Sequence, residues 1–254
     1  MASGDNDGEM KAVILAAGKG VRLNGISGDN PKCLLNVGGK TLIERQLIAL
    51  RSVGILDIIC VVGCGAERVR EACGPDCQYI LNDQYDTTNN LYSLWLAREH
   101  LEGGFIVLNA DVLFDCKMLA NLIDNAAEDA LLIEPQNGHR QKLGDEEMKV
   151  VLEKGSILQI SKGIDPAIAH GESVGIAKFG KSGASLIIKH MNRLILERKI
   201  NEWLPKAFHE FSSDRPLVAV STGGLPWIEI DFPSDYYRAC DEIVKKIDDV
   251  PSNI

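Results

Sequence analysis

The first half of the chain alternates short apolar runs with longer amphipathic stretches. Runs at 11–16, 57–62, 78–81, 104–109 and 128–134 have the length of buried strands. Between them, 40–53, 65–73, 89–101 and 116–125 repeat apolar positions at helical spacing. This order predicts a parallel sheet covered by helices on both faces. Around 145–180 the pattern changes. Met148–Glu153 and Ile157–Lys162 flank Lys154-Gly155-Ser156 and read as a β-hairpin, and Ser173–Phe179 as a further strand. Helices are expected at 181–198 and 201–211, strands at 217–220 and 227–230, and a closing helix at 233–248 with Pro233 in its first turn. No internal repeat interrupts the series. The expected fold class is α/β, a Rossmann-like, mostly parallel mixed sheet flanked by helices. A smaller β-hairpin and helical lobe at about 140–215 is inserted into a single 11–250 unit, and the polar residues 1–10 form a disordered tail.

Composition narrows the class. The 254 residues suffice for one large core, and 45% hydrophobic with 25% charged residues is ordinary for a globular protein. A net charge of −9 argues against nonspecific nucleic-acid binding, which needs a basic footprint. No apolar stretch reaches the roughly 18 residues of a membrane span, and the seven cysteines read as reduced thiols, so a cytoplasmic location is expected. Cys60 and Cys64, like Cys73 and Cys77, have the gap of a metal knuckle, but no histidine pair completes a zinc set. Cys60 reads as core and Cys73–Cys77 as a turn.

The chemistry concentrates in a few blocks. The apolar run Ala12–Leu15 breaks into Ala16-Ala17-Gly18-Lys19-Gly20-Val21-Arg22-Leu23, and Pro31-Lys32-Cys33-Leu34 follows. A buried strand feeding a glycine turn lets phosphates approach backbone N–H groups from Leu15 to Gly20. Lys19, Arg22 and Lys32 add charge. The spacing is neither a Walker A loop nor a dinucleotide fingerprint. A second strand, Phe105–Asn109, runs into Asp111. Asp115 is the better cap for the next helix, which leaves Asp111 at the sheet edge. Late in the chain, Glu229 and Asp231 end an apolar strand on one face. Acidic strand ends flanking a triphosphate suit Mg²⁺. In a third block, Asn82 to Leu94, Thr88 or Asn89 caps a helix whose N-terminus faces the ligand. Asn82, Thr88, Asn89 and Ser93 there suit a base or ribose edge.

Leu-Ala-Ala-Gly-Lys-Gly-x-Arg-Leu, then Pro-Lys-Cys-Leu-Leu and Gly39-Lys40-Thr41-Leu42-Ile43-Glu44, resembles the nucleotidyltransferase signature. Thr88-Asn89-Asn90 with Ser93-Leu94 resembles an element of its phosphocholine and aminoalkylphosphonate cytidylyltransferase branch. The resemblance implies CTP and a small phosphate or phosphonate acceptor. It places Mg²⁺ on Asp111 and Asp231, with Glu229 as a third ligand or a supporting group. It also implies that Lys162 meets the acceptor phosphate, and that Glu172, in Gly171-Glu172-Ser173-Val174-Gly175-Ile176, faces the acceptor or orients Lys162. A cationic acceptor head group would want aromatic faces or carboxylates. Tyr92, Trp203, Trp227 and Asp145-Glu146-Glu147 offer them. Two alternatives stay open: a sugar 1-phosphate or cyclitol phosphate with UTP, GTP or dTTP, and a non-catalytic nucleotide-binding subunit. The oligomeric state is open too, a homodimer included.

Overall fold

The structure is a computed structural model that describes residues 10–28, 30–136 and 143–248. Most of the polar tail expected at 1–10 lies outside the described residues. In chain order the strands are β1 (Lys11–Ala16), β2 (Asn36–Val37), β3 (Lys40–Thr41), β4 (Ile58–Val62), β5 (Cys77–Leu81), β6 (Phe105–Asn109), β7 (Val112–Phe114), β8 (Ala130–Pro135), β9 (Lys149–Glu153), β10 (Ser156–Ser161), β11 (Gly171–Phe179), β12 (Val218–Ser221) and β13 (Trp227–Glu229). The α-helices are α1 (Asn24–Ser27), α2 (Leu42–Ser52), α3 (Ala66–Cys73), α4 (Asn90–Leu96), α5 (Cys116–Asp124), α6 (Lys181–Leu196), α7 (Pro205–Asp214), α8 (Pro233–Arg238) and α9 (Val244–Asp248).

Among the described residues, nine strands form one mixed sheet in the order β5-β4-β1-β6-β11-β8-β12-β10-β9. The first four run parallel. Strand alternation sorts their side chains: Ala12, Ile14 and Ala16 join one core, Val13 and Leu15 the other. Helices α2, α3 and α5 supply residues to the first core, and α4, α6 and α7 to the second.

Beyond β6 the sheet turns largely antiparallel and forks. β11 pairs with β6 over Ile176–Phe179 but with β9 at Gly171 and Glu172. Gly175 sits at the divergence with φ +79°, and a Cβ there would lie 2.6 Å from Asn109 Nδ2. Both the backbone angle and the close approach require glycine. The fork opens a gap beside the carboxyl ends of β1 and β6, where parallel sheets place their ligands.

Several boundaries differ from expectation for visible reasons. The second helix starts at Leu42 because Thr41 and Glu44 form a capping box. The expected helix 201–211 begins instead at Pro205, which favours the first helical position. The closing helix 233–248 is broken by a π-turn at Ala239–Ile243. Asp115 does cap α5, accepting from the Lys117 N–H at 2.9 Å.

Candidate active site

The turn after β1 lines one side of the cleft through Leu15, Ala16, Ala17, Gly18, Gly20 and Arg22. A Cβ on Gly18 would meet no protein atom within 4 Å, so its bare backbone faces open space. Gly20 is required for another reason: at φ +65° it packs on Lys32, whose Cβ would lie 2.7 Å from a Cβ at Gly20. Pro31 then starts a short 3₁₀ turn, Lys32–Leu34, that turns Lys32 into the cleft.

The acids meet because of a two-stranded ribbon. β7 and β13 pair antiparallel with Glu229 opposite Val112, and the Ile230 N–H donates to the Asp111 carbonyl at 3.0 Å. One carboxylate oxygen from each of Asp111, Glu229 and Asp231 therefore lies within 4.8 Å of the others. Lys32 Nζ stands between two of them, 2.9 Å from Asp111 Oδ2 and bonded also to Asp231 Oδ1. Burial alone would lower the Lys32 pKa, but Asp111 and Asp231 outweigh it and the ammonium is raised well above its ordinary value. Partial loss of water in the cleft first, then the charges of Asp111 and Asp231, push the Glu229 carboxyl above the ordinary carboxylate range, although its side chain keeps exposed surface. Asp111 Oδ1 is buried with no hydrogen-bond partner, so this donor set fits a hard cation with an oxygen still to coordinate. Arg22 completes the rim, 3.7 Å from Asp231 Oδ2, 3.4 Å from Glu146 Oε2, and over the Phe232 ring.

The opposite wall comes from α4. Asn89 is its N-cap, accepting from the Asn90 N–H at 2.8 Å. Buried Asn82 donates to Thr88 Oγ1 and Ser93 Oγ, both at 3.1 Å, and accepts from the Gln84 N–H. Its polar atoms thus organise the block internally. Ser93 Oγ only accepts in these bonds, which leaves its O–H to donate. At the far end, Lys162 follows β10 with its ammonium 4.0 Å from the Trp203 ring centroid and 3.4 Å from Glu146 Oε2. The whole cleft encloses about 350 Å³, within the small-molecule range.

A family model described as the MobA-like NTP transferase domain matches residues 12–220. The chain belongs to this family. Among curated relatives, a choline-phosphate cytidylyltransferase of Streptococcus pneumoniae is 41% identical over 108 residues, 41% of this chain and 46% of the relative. A CMP-5'-(3-aminopropyl)phosphonate synthase of Streptomyces rubellomurinus is 39% identical over 118 residues, 44% of this chain and 19% of the relative. The aligned segments thus span less than half of each relative. Of solved structures, the inositol-1-phosphate CTP transferase from T. maritima superposes with TM-score 0.74 at 23% identity, over 91% of this chain and 96% of that one, a likeness of fold.

In this NTP transferase domain the cleft gathers most residues that the sequence singled out. Leu15, Ala16, Ala17, Gly18, Gly20, Arg22, Lys32, Asn82, Thr88, Asn89, Ser93, Asp111, Lys162, Glu229 and Asp231 all line it. Lys19 does not; its ammonium lies 5.3 Å over the Tyr85 ring at the edge. Tyr92 points away and stacks on Trp95, because on α4 it is Asn89, Asn90 and Ser93 that face inward. Glu172 pairs in register between Glu134 and Lys149 outside the lining, since strand alternation gives the cleft Ser173. Of the aromatic candidates Trp203 lines the cleft, whereas Trp227 is buried and donates to Glu134 Oε2 at 3.0 Å. From the acidic run only Glu146 reaches the lining. Asn90 and Asn109 escaped the sequence reading, although Asn90 stood inside the Thr-Asn-Asn block that signalled the site.

Proposed function

We propose that the protein is a cytidylyltransferase that transfers CMP from CTP to a small phosphate- or phosphonate-bearing acceptor. An acceptor oxygen attacks the α-phosphorus of CTP, the bond to the β-phosphate oxygen breaks, and pyrophosphate leaves with that electron pair. The observation that carries this reading is the Asp111, Glu229 and Asp231 cluster with Lys32 at its centre, set beside a glycine turn. The names of the two partial relatives support the choice of CTP.

Positioning and charge neutralisation do the work, with no side-chain nucleophile. Asp111 and Asp231, with Glu229 as a third donor, would hold Mg²⁺, which supplies charge neutralisation between α-phosphate and acceptor oxygens when bound. Arg22 and the Leu15–Gly20 backbone take the β- and γ-phosphates, with Lys19 at the edge. Lys32 moves from its carboxylates onto the α-phosphate. Thr88, Asn89 and Ser93 face the nucleoside, and Asn82 holds them in place. The acceptor side is assigned to the described part of the 140–215 segment, with Lys162 on the acceptor phosphate. An ammonium-bearing acceptor is favoured. The Trp203 face and Glu146 hold the Lys162 ammonium in this structure, and they would be left to a cationic head group once Lys162 turns onto the acceptor phosphate.

The test is pyrophosphate release with Mg²⁺ over five nucleotides (CTP, UTP, GTP, ATP, dTTP). The acceptors are phosphocholine, 2-aminoethylphosphonate, inositol phosphates and sugar 1-phosphates. Signal confined to CTP with ammonium-bearing acceptors is expected, and Asp111→Ala should abolish it while keeping a cooperative thermal transition. Release from another nucleotide overturns the base assignment. Release only with neutral acceptors overturns the head-group assignment, and near-normal turnover in Asp111→Ala overturns the metal assignment.

A further inference from the structure

The segment that presents Trp203 is tied to the helix that faces the nucleotide. The Asn89 N–H donates to the Ile200 carbonyl at 3.2 Å. Asn90 Oδ1 accepts from the Leu204 N–H at 2.7 Å, and Asn90 Nδ2 lies 3.4 Å from Asn109 Oδ1. Leu204 is the N-cap of α7 and has no side-chain cap of its own. One of the free N–H groups at that helix start is therefore satisfied from another element. Asn109 in turn abuts Gly175 at the fork of the sheet and begins the turn that carries Asp111. A single half-buried amide thus touches the wall beside Trp203 and the turn beside the carboxylates.

We infer that Asn90 is a positioning residue for the acceptor: it fixes the Trp203-Leu204 backbone, and with it the aromatic face, against the nucleotide wall. It acts through Leu204 and reads no base. This rests on the proposed function in one respect, that the Trp203 side of the cleft takes the acceptor. The Leu204 N–H has one side-chain acceptor, Asn90 Oδ1, among the hydrogen bonds of the described residues. Losing it frees the start of α7 without touching the glycine turn, Asn82, Thr88 or Ser93. Alanine is well tolerated at the first position of a helix, so α4 forms in Asn90→Ala regardless.

The experiment has two arms on the full chain. Hydrogen–deuterium exchange is followed in peptides covering 198–206, in wild type, Asn90→Ala and Asn90→Asp. Exchange there should speed up about tenfold or more in Asn90→Ala. It should stay near wild type in Asn90→Asp, which keeps the accepting oxygen, and peptides covering 82–88 should not change. In the second arm the KM for 2-aminoethylphosphonate should rise severalfold, up to about tenfold, in Asn90→Ala, because the Trp203 face is then no longer held in the position that meets the acceptor. The dissociation constant for CTP with Mg²⁺, measured without acceptor, should stay within about twofold. Unchanged exchange at 198–206 in Asn90→Ala overturns the inference whatever the enzyme's substrate. So does a weakened CTP affinity with an unchanged acceptor KM. A wild-type protein that turns over no CTP and acceptor pair counts against the proposed function, and the exchange arm still decides the role of Asn90.

Discussion

Lys32 holds the place of a cation between two carboxylates. Its side chain is 12% exposed, and its ammonium bridges Asp111 and Asp231, so it stays charged across any working pH. To reach a phosphate in the proposed reaction it has to release at least one of them. Lys32→Met therefore separates two roles. Turnover should fall about 10²- to 10³-fold, the usual cost of removing one donor aimed at developing charge. Mn²⁺ binding in the absence of nucleotide, followed by electron paramagnetic resonance, should tighten, because no ammonium competes for the carboxylates. If Mn²⁺ binding weakens instead, Lys32 orders the acids rather than competing with the metal for them.

The meeting of those acids is settled by short elements rather than by the long ones. β7 and β13 are three residues each, and their register sets Asp111 beside Glu229 and Asp231. From the other side Gln46, on α2 and almost fully buried, donates from Nε2 to the carbonyls of Asn109 and Val112, both at 2.9 Å. It spans the turn that carries Asp111. Gln46→Leu removes the donor from one buried and one half-buried carbonyl, so urea denaturation should show a loss of about 1–3 kcal/mol. Mn²⁺ affinity should also fall in the folded fraction. A stability loss with unchanged Mn²⁺ affinity would make Gln46 a packing residue only. The same contrast explains what could be read from the sequence. β1, β4 and β6 were legible because four or five apolar residues in a row are buried on both faces. The glycine turn was legible because backbone approach and positive φ admit few other residues. β7 was not, since three residues carry no periodicity, and without it the hydrophobic pattern alone does not bring Asp111 and Asp231 together; only the resemblance to the nucleotidyltransferase signature did. Tyr92 and Glu172 lie outside the lining, each one position from a residue that is in it, Ser93 on a helix and Ser173 on a strand, where a single step changes the face. Asn90 was hidden because its partner, Leu204, is 114 residues away and offers only a backbone N–H.

At the scale of the whole molecule the question is how a chain of net charge −9 receives a triphosphate. The cleft lining does not reverse that charge: Arg22, Lys32 and Lys162 face Asp111, Glu146, Glu229 and Asp231. Each of the three cations is also paired with one or two of these acids. A bare nucleotide therefore meets a site whose positive charge is already neutralised, and binding it means breaking ion pairs. In the proposed reading a divalent ion held by Asp111 and Asp231 would change this, since the carboxylates would neutralise the ion and leave Lys32 and Arg22 free for phosphate. Metal and nucleotide should accordingly raise each other's affinity, and by linkage the factor must be the same in both directions. Calorimetric titration of CTP in EDTA and in Mg²⁺, with Mg²⁺ titrated with and without CTP and corrected for the complex in free solution, should give a coupling of at least about tenfold. The non-hydrolysing condition without acceptor keeps turnover out of the measurement. Equal CTP affinity in EDTA and Mg²⁺ would mean that Arg22 and the turn backbone bind phosphate without help from the acids, and that the Lys32 bridge persists in the loaded cleft.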